Sequence, residues 1–323
     1  MQHPCNWKTK STKHVRAQAV CSDFNAKSDV HDIKVRRHRT ADVQCRRFLS
    51  PWLSATRIAS AVSILLLGIG VTTASAATQP LLAKKSAPSG CSAGSLAHTE
   101  PSGALPPRSV RGYHLAYCND FRGSQLPAGW SKFDGVPGGD PGGMFLPSHV
   151  LIAGGLLRLN TSRDASAGNN WATGGTCQCS VARTYGAYFV RSRVTSGGDD
   201  NVELLWPAGA VWPPEIDFNE TSSSPAKTGW YVHYTAKNHQ VAKTLRINLT
   251  KWHTWGVIWT PTTLTFTVDG KEWGVVKNSA AVPHRAMTLD IQQQTLCGIA
   301  PGCPTKPLSM LVDWVVEFAP ARR

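Results

Sequence analysis

From Tyr113 to the C-terminus no stretch of a dozen residues places apolar side chains at i, i+3, i+4 and i+7, the spacing that one helix face requires. Short runs rich in Val, Ile, Thr and aromatic residues recur instead between turn residues. They are Leu156–Asn160, Gly186–Val194, Asn201–Leu205, Trp230–Tyr234, His253–Trp259, Leu264–Val268 and Leu311–Phe318. Asp269-Gly270 separates Leu264–Val268 from Glu272–Val276. Asp-Gly between two alternating runs predicts a tight hairpin. Closely spaced short strands of this kind predict an all-β domain, a single sandwich or barrel.

The 323 residues carry 34 Lys+Arg against 20 Asp+Glu, a formal net charge of +14. Such a surplus suggests nucleic acid or an anionic membrane as partner. Its distribution argues otherwise. Residues 1–76 hold 12 Lys/Arg and 4 Asp/Glu, and the remainder holds 22 and 16. More than half of the excess therefore sits in a front segment. No basic stripe with interleaved aromatics follows it, so nucleic acid is not expected as a partner.

That front segment reads as an address. Residues 1–55 are a basic extension without apolar periodicity. Residues 56–76 contain the apolar run Ile58–Val71, followed by Thr72-Thr73-Ala74-Ser75-Ala76. A basic region, a short apolar region and an Ala-x-Ala site predict a signal peptide cleaved after Ala76. The apolar run falls short of the roughly 20 residues a membrane span needs. An uncleaved cell-surface anchor is the other reading; after cleavage no stable membrane insertion is expected. The basic region is too long for an ordinary signal, and synthesis starting nearer Arg46 would explain it. Arg46-Arg47 is a weak hint of a twin-arginine signal. Residues 77–110, rich in Ser, Ala, Pro and Gly, read as a linker.

Export changes the reading of the 9 cysteines. Cys5, Cys21 and Cys45 lie in the removable front. Cys91, Cys118, Cys177, Cys179, Cys297 and Cys303 remain, and an even number in an exported chain favours disulfides. Cys297 and Cys303 bracket a tight Gly/Pro loop and are the expected pair. Cys177-x-Cys179 would otherwise be half a metal site, but no second half lies at ligand spacing.

The segment richest in chemistry is Trp212-Pro-Pro-Glu215-Ile-Asp217-Phe-Asn-Glu220. On a regular strand Glu215, Asp217 and Asn219 share one face and Glu220 takes the other. A single β-bulge after Asp217 resets the parity and brings Glu220 beside Glu215 and Asp217. Three clustered acids are electrostatically costly. They raise one another's pKa, which suits a general acid working at neutral pH. Glycoside hydrolysis needs such a pair of carboxyls. An exposed acidic strand or a calcium ligand set would use the same spacing.

Here the sequence resembles glycoside hydrolase family 16, whose members are concanavalin-like β-sandwiches (jelly rolls) with a sugar-binding cleft on the concave sheet. Glu-Ile-Asp-Phe-Asn-Glu is similar to the bulged Glu-x-Asp-x-x-Glu of its laminarinase-like members. Further blocks agree in order across residues 115–318: Asn119-Asp120-Phe121 with Trp130, Phe145–Leu159, Tyr185–Arg191, Leu204-Leu205-Trp206, Trp252–Gly270 and Val312-Asp313-Trp314-Val315. The resemblance makes residues 111–323 the catalytic domain. It implies Glu215 as nucleophile, Glu220 as acid/base and Asp217 as the assisting carboxylate. It implies Trp206 and Trp212 as stacking platforms and His233 as the cleft histidine. Gln292 and Gln294 share a strand face and are candidates for sugar hydroxyls. Trp255 and Trp314 read as core, and Arg191 as a structural partner.

The function implied is a secreted retaining endo-glycosidase acting on β-glucan with β-1,3 or mixed linkages. A non-catalytic glycan-binding protein or a transglycosylase on the same fold are the alternatives. The expected partner is a polysaccharide, bound by a monomer. The chemistry requires no cofactor; relatives often hold a structural calcium, and no ligand set for one is evident. Three departures stand out: Phe189 where the family has Glu, Phe218-Asn219 for Ile-Met, and Pro214 for Gly. Asn160, Asn219 and Asn248 begin glycosylation triplets. A glycan on Asn219 would stand beside Glu220, which argues against a host that uses this pattern.

Overall fold

The computed structural model describes residues 101–321. The basic extension, the signal peptide, residues 77–100 of the linker, and Cys5, Cys21, Cys45 and Cys91 lie outside the described residues. The strands in chain order begin with β1 Tyr113–Asn119, β2 Ser131–Lys132, β3 Val150–Ile152, β4 Leu157–Asp164, β5 Asn170–Ala172 and β6 Gly175–Cys177. Next come β7 Gly186–Val194, β8 Asp200–Pro207, β9 Glu215–Thr221, β10 Lys227–His233 and β11 Gln240–Arg246. The last are β12 His253–Trp259, β13 Leu264–Val268, β14 Lys271–Val276, β15 Met287–Gln294 and β16 Leu308–Pro320. Two single 3₁₀ turns are the only helical elements among the described residues. No helix there is long and apolar enough to cross a membrane.

The strands form two antiparallel sheets. One runs β14-β13-β12-β7-β16-β4-β3, with β1 also on β16 and β5 on β4. The other runs β11-β10-β9-β8-β15-β6-β2. Alternation assigns the faces. Leu157, Leu159, Val190, Trp255, Trp259 and Phe266 of the first sheet meet Leu205, Ile216, Phe218, Val232 and Ile291 of the second. Each such side chain contributes about 1.5–3 kcal/mol on leaving water. β7, β12 and β13 span the runs read from the sequence. Asp269 and Gly270 both take positive φ, 49° and 76°, as the tight hairpin turn requires.

A smaller apolar cluster lies on the outer side of the first sheet: Cys118, Ala187, Phe189, Trp314, Val316 and Phe318. Phe189 is thus part of an apolar patch. Residues 101–110 lie along it. The Trp314 indole donates to the Ala104 carbonyl at 2.8 Å. The Ser102 amide donates to Asp313 at 3.0 Å, and Arg191 Nε to Ser102 Oγ at 2.7 Å. The last ten residues of the expected linker therefore dress the sandwich as a strap, and Arg191 is structural.

Cys297 and Cys303 are disulfide-bonded, as expected. Cys177 and Cys179 bond to each other, which removes them as half of a metal site. Cys118 is disulfide-bonded as well.

Candidate active site

The second sheet bears a cleft of about 650 Å³. Its floor is built by strand alternation. Trp206, Leu204, Val202 and Asp200 come from β8, Glu215, Asp217 and Glu220 from β9, His233 from β10, and Asp290, Gln292 and Gln294 from β15. Phe133, Phe145, Leu296 and Ile299 wall one side, and Trp212 and Ala210 another. All eight residues singled out in the sequence thus line one cleft.

The parity of β9 is visible in its pairing. Glu220 faces Val202 and Asn219 faces Glu203, but Leu204 is opposite Asp217. On the other side Gly229 faces Glu220 and Tyr231 faces Asp217. β9 therefore carries one extra residue between Asp217 and Glu220 relative to both neighbours. Phe218 and Asn219 both point between the sheets. Phe218 joins the apolar core. The Asn219 amide donates to Glu203, its oxygen accepts from Thr228 Oγ1 at 2.6 Å, and Ser192 of the facing sheet donates to Glu203. Asn219 is 3 % exposed, so its glycosylation triplet is shut inside the fold.

The acids are surrounded by specific partners. The Trp212 indole donates to Glu215 Oε2 at 2.7 Å. His233 Nε2 lies 3.4 Å from Asp217 Oδ2, and its Nδ1 lies 2.5 Å from Asn238 Oδ1. The rings of Trp212 and His233 are tilted, with centroids 6.0 Å apart. Arg285 reaches the Val211 carbonyl at 3.2 Å and the Ala208 carbonyl at 3.4 Å, tying down the loop that carries Trp212. At the other end Asp140 is buried and bridges two loops. Its carboxylate accepts from Thr295 Oγ1 at 2.7 Å, the Leu296 amide at 3.0 Å and the Gly298 amide at 3.2 Å.

Burial and mutual repulsion act on all three acids. Glu220 is pushed up to about 7, first by desolvation and then by the Glu215 charge, against the pull of His233. Asp217 is raised well above the usual range by desolvation and by Glu215 and Glu220 on either side. Glu215 is raised by desolvation, but His233, the Trp212 indole and a hydrogen bond from Asp217 all oppose that shift. Burial and like charge thus favour protons on Asp217 and Glu220, while His233 and the Trp212 indole favour the charged form of Glu215.

Asp200 and Asp290 were missed. Both are buried and line the cleft. Asp290 is raised by desolvation, which the Thr288 hydroxyl opposes. Asp200 is raised by desolvation and by the Glu220 charge. Their signal was present: the period of two that places Trp206, Gln292 and Gln294 in the cleft places these two there as well.

Glu215, Asp217 and His233 also have ligand atoms within 4.8 Å of one another. This set includes an imidazole and lacks the cage of oxygens that calcium takes. Among the described residues it is the one His/Cys/Asp/Glu group of ligand size, and it does not fit a structural calcium.

Residues 147–303 match glycosyl hydrolases family 16. They form a family 16 glycoside hydrolase domain. No curated protein matches the chain. Among solved structures, the catalytic domain of an endo-1,3-beta-glucanase (laminarinase) from Thermotoga petrophila is 16 % identical, with a TM-score of 0.59 over 66 % of this chain and 100 % of that one. The Pyrococcus furiosus endo-beta-1,3-glucanase is 18 % identical, with a TM-score of 0.58 over 65 % and 96 %. The Rhodothermus marinus laminarinase is 20 % identical, with a TM-score of 0.59 over 65 % and 98 %. At such identities these likenesses establish the fold: a jelly-roll sandwich of two antiparallel sheets. The acids, both tryptophans and His233 share the cleft of the second sheet within the matched residues.

Proposed function

We propose that the family 16 domain is a secreted, retaining endo-glycosidase that hydrolyses β-glucan by double displacement. The observation that carries the reading is the extra residue in β9, which puts Glu215, Asp217 and Glu220 on one face. Glu215, held as the anion, attacks the anomeric carbon and forms a covalent glycosyl-enzyme. Glu220 retains its proton near neutral pH and delivers it to the departing glycosidic oxygen. It then takes a proton from the water that releases the sugar. Asp217, neutral between the two, donates to Glu215 and steadies its charge. Trp206 and Trp212 offer flat apolar rings to sugar faces, and Gln292 and Gln294 offer amides to hydroxyls. The step needs no cofactor. The laminarinase-like frame supports β-1,3 or mixed-linkage glucan as the substrate, and the paired cysteines support an oxidising, extracellular destination.

The test compares wild type with Glu215→Gln on laminarin, lichenan, agarose and xyloglucan by following reducing ends. We expect release from laminarin or lichenan, and a loss of about a thousandfold or more in the variant. Equal rates for the two proteins would refute the nucleophile.

A further inference from the structure

The surplus charge of the sandwich is confined to one flank. Residues 227–277 hold seven Lys and Arg against two Asp and Glu; the rest of residues 101–321 hold eleven against thirteen. The seven are Lys227, Lys237, Lys243, Arg246, Lys251, Lys271 and Lys277, and all are exposed. β11 is the outer strand of one sheet and β14 of the other. They meet on this flank: Lys243 Nζ donates to the Trp273 carbonyl at 2.8 Å. His253 joins Asn248, just past β11, to Asp269, just before β14. Arg246 and Lys271 thus stand at the same end of the flank. Of the two acids, Asp269 is engaged by His253 and the Thr254 amide.

Lys227 and Arg246 are directly opposed across β10 and β11. Like charges in that position are destabilising. Alternation along β10 puts Lys227 on the face of Gly229, Tyr231 and His233, whose partners on β9 are Glu220, Asp217 and Glu215. The pair therefore lies on the cleft side of the sheet, beyond the acids. Lysines on an edge strand guard against strand-to-strand association. That role covers Lys243. It does not cover Lys227, which is on an inner strand, nor Lys251, Lys271 and Lys277 in turns and at strand ends.

We propose that this flank is a docking surface for an acidic, carboxylate-bearing polysaccharide, which holds the domain against a matrix while the cleft works on a neutral chain. Charge complementarity and continuity with the concave face carry the choice. The choice of a glycan as the polyanion rests on the proposed glycan cleft.

The test is electrophoresis of the full protein in gels cast with polygalacturonate, over a range of salt, with laminarin hydrolysis measured on the same samples. Two triple variants change the net charge equally: Lys227→Glu/Arg246→Glu/Lys271→Glu on the flank, and Arg108→Glu/Arg111→Glu/Lys306→Glu elsewhere. We expect wild type and the second variant to be retarded, with retardation falling as salt rises. The flank variant should lose at least tenfold in affinity and keep its laminarin rate. Equal loss in both variants, or no retardation of wild type, would overturn the proposal. So would equal retardation by duplex DNA at matched charge and salt, which would favour a generic polyanion. Retardation without hydrolysis of any glucan would leave the flank standing and sink the catalytic reading instead.

Discussion

At the scale of single residues, one side chain bears on how the acids are charged and another on how the strand that carries them is held. The Trp212 indole donates to Glu215 and favours its anion. Trp212→Phe keeps the ring and removes the donor. The Glu215 pKa then rises, so the acid limb of the kcat/KM profile should move to higher pH and activity below neutrality should fall about tenfold or more. A pH–rate profile checks this, and an unmoved acid limb would count against it. Asn219 is the second case. Asn219→Ala takes a donor from buried Glu203, which keeps Ser192, and an acceptor from Thr228, which keeps the Glu220 carbonyl, and the buried carboxyl oxygen left unmatched costs about 1–3 kcal/mol. Urea unfolding should report a loss of that order. The acids themselves were legible in the sequence as a spacing. The Asn219–Glu203 bond was not, because it joins residues on different strands whose register only the fold defines.

At the scale of elements, the extra residue in β9 does what no single side chain does. Deleting Asn219 would remove the extra residue, and plain alternation through Glu215, Ile216, Asp217, Phe218 and Glu220 would then keep all three acids on the cleft face. Such a protein should retain β-type circular dichroism and measurable activity on laminarin; a folded protein with no activity at all would count against the parity argument. Strands with one buried face could be read directly, and β7, β12 and β13 were. β11 was not read, because Gln240, Ala242, Lys243, Thr244 and Arg246 are all exposed. An outer strand leaves no apolar alternation to find. Asp200 and Asp290 were not legible as part of the site for a different reason: they stand on β8 and β15, and only the pairing of those strands with each other and of β8 with β9 brings their carboxyls to the same cleft.

At the scale of the whole domain, an unusual number of carboxyls are buried. Asp199, Glu203 and Glu317 are each pushed up to about 7, chiefly by desolvation. Their pKa values in the folded state exceed the unfolded value of roughly 4. Between those limits the folded domain keeps protons that the unfolded chain has released. Stability is therefore fully present below about pH 4 and falls as pH rises toward about 7. The melting temperature should drop by several degrees between pH 5 and pH 8, at about 2–4 °C per kcal/mol for a domain of this size. A flat or rising profile would show that these groups ionise freely in the fold. The strap of residues 101–110 bears on how the chain can be shortened. A peptidase trimming inward from the N-terminal side reaches the strap at residue 101. Losing Ser102 takes a donor from Asp313 and an acceptor from Arg191, and losing Ala104 takes the acceptor of the Trp314 indole. By Val110 it has uncovered a sticky indole-centred patch, so Trp314 fluorescence would serve as a ruler for where maturation ends and damage begins.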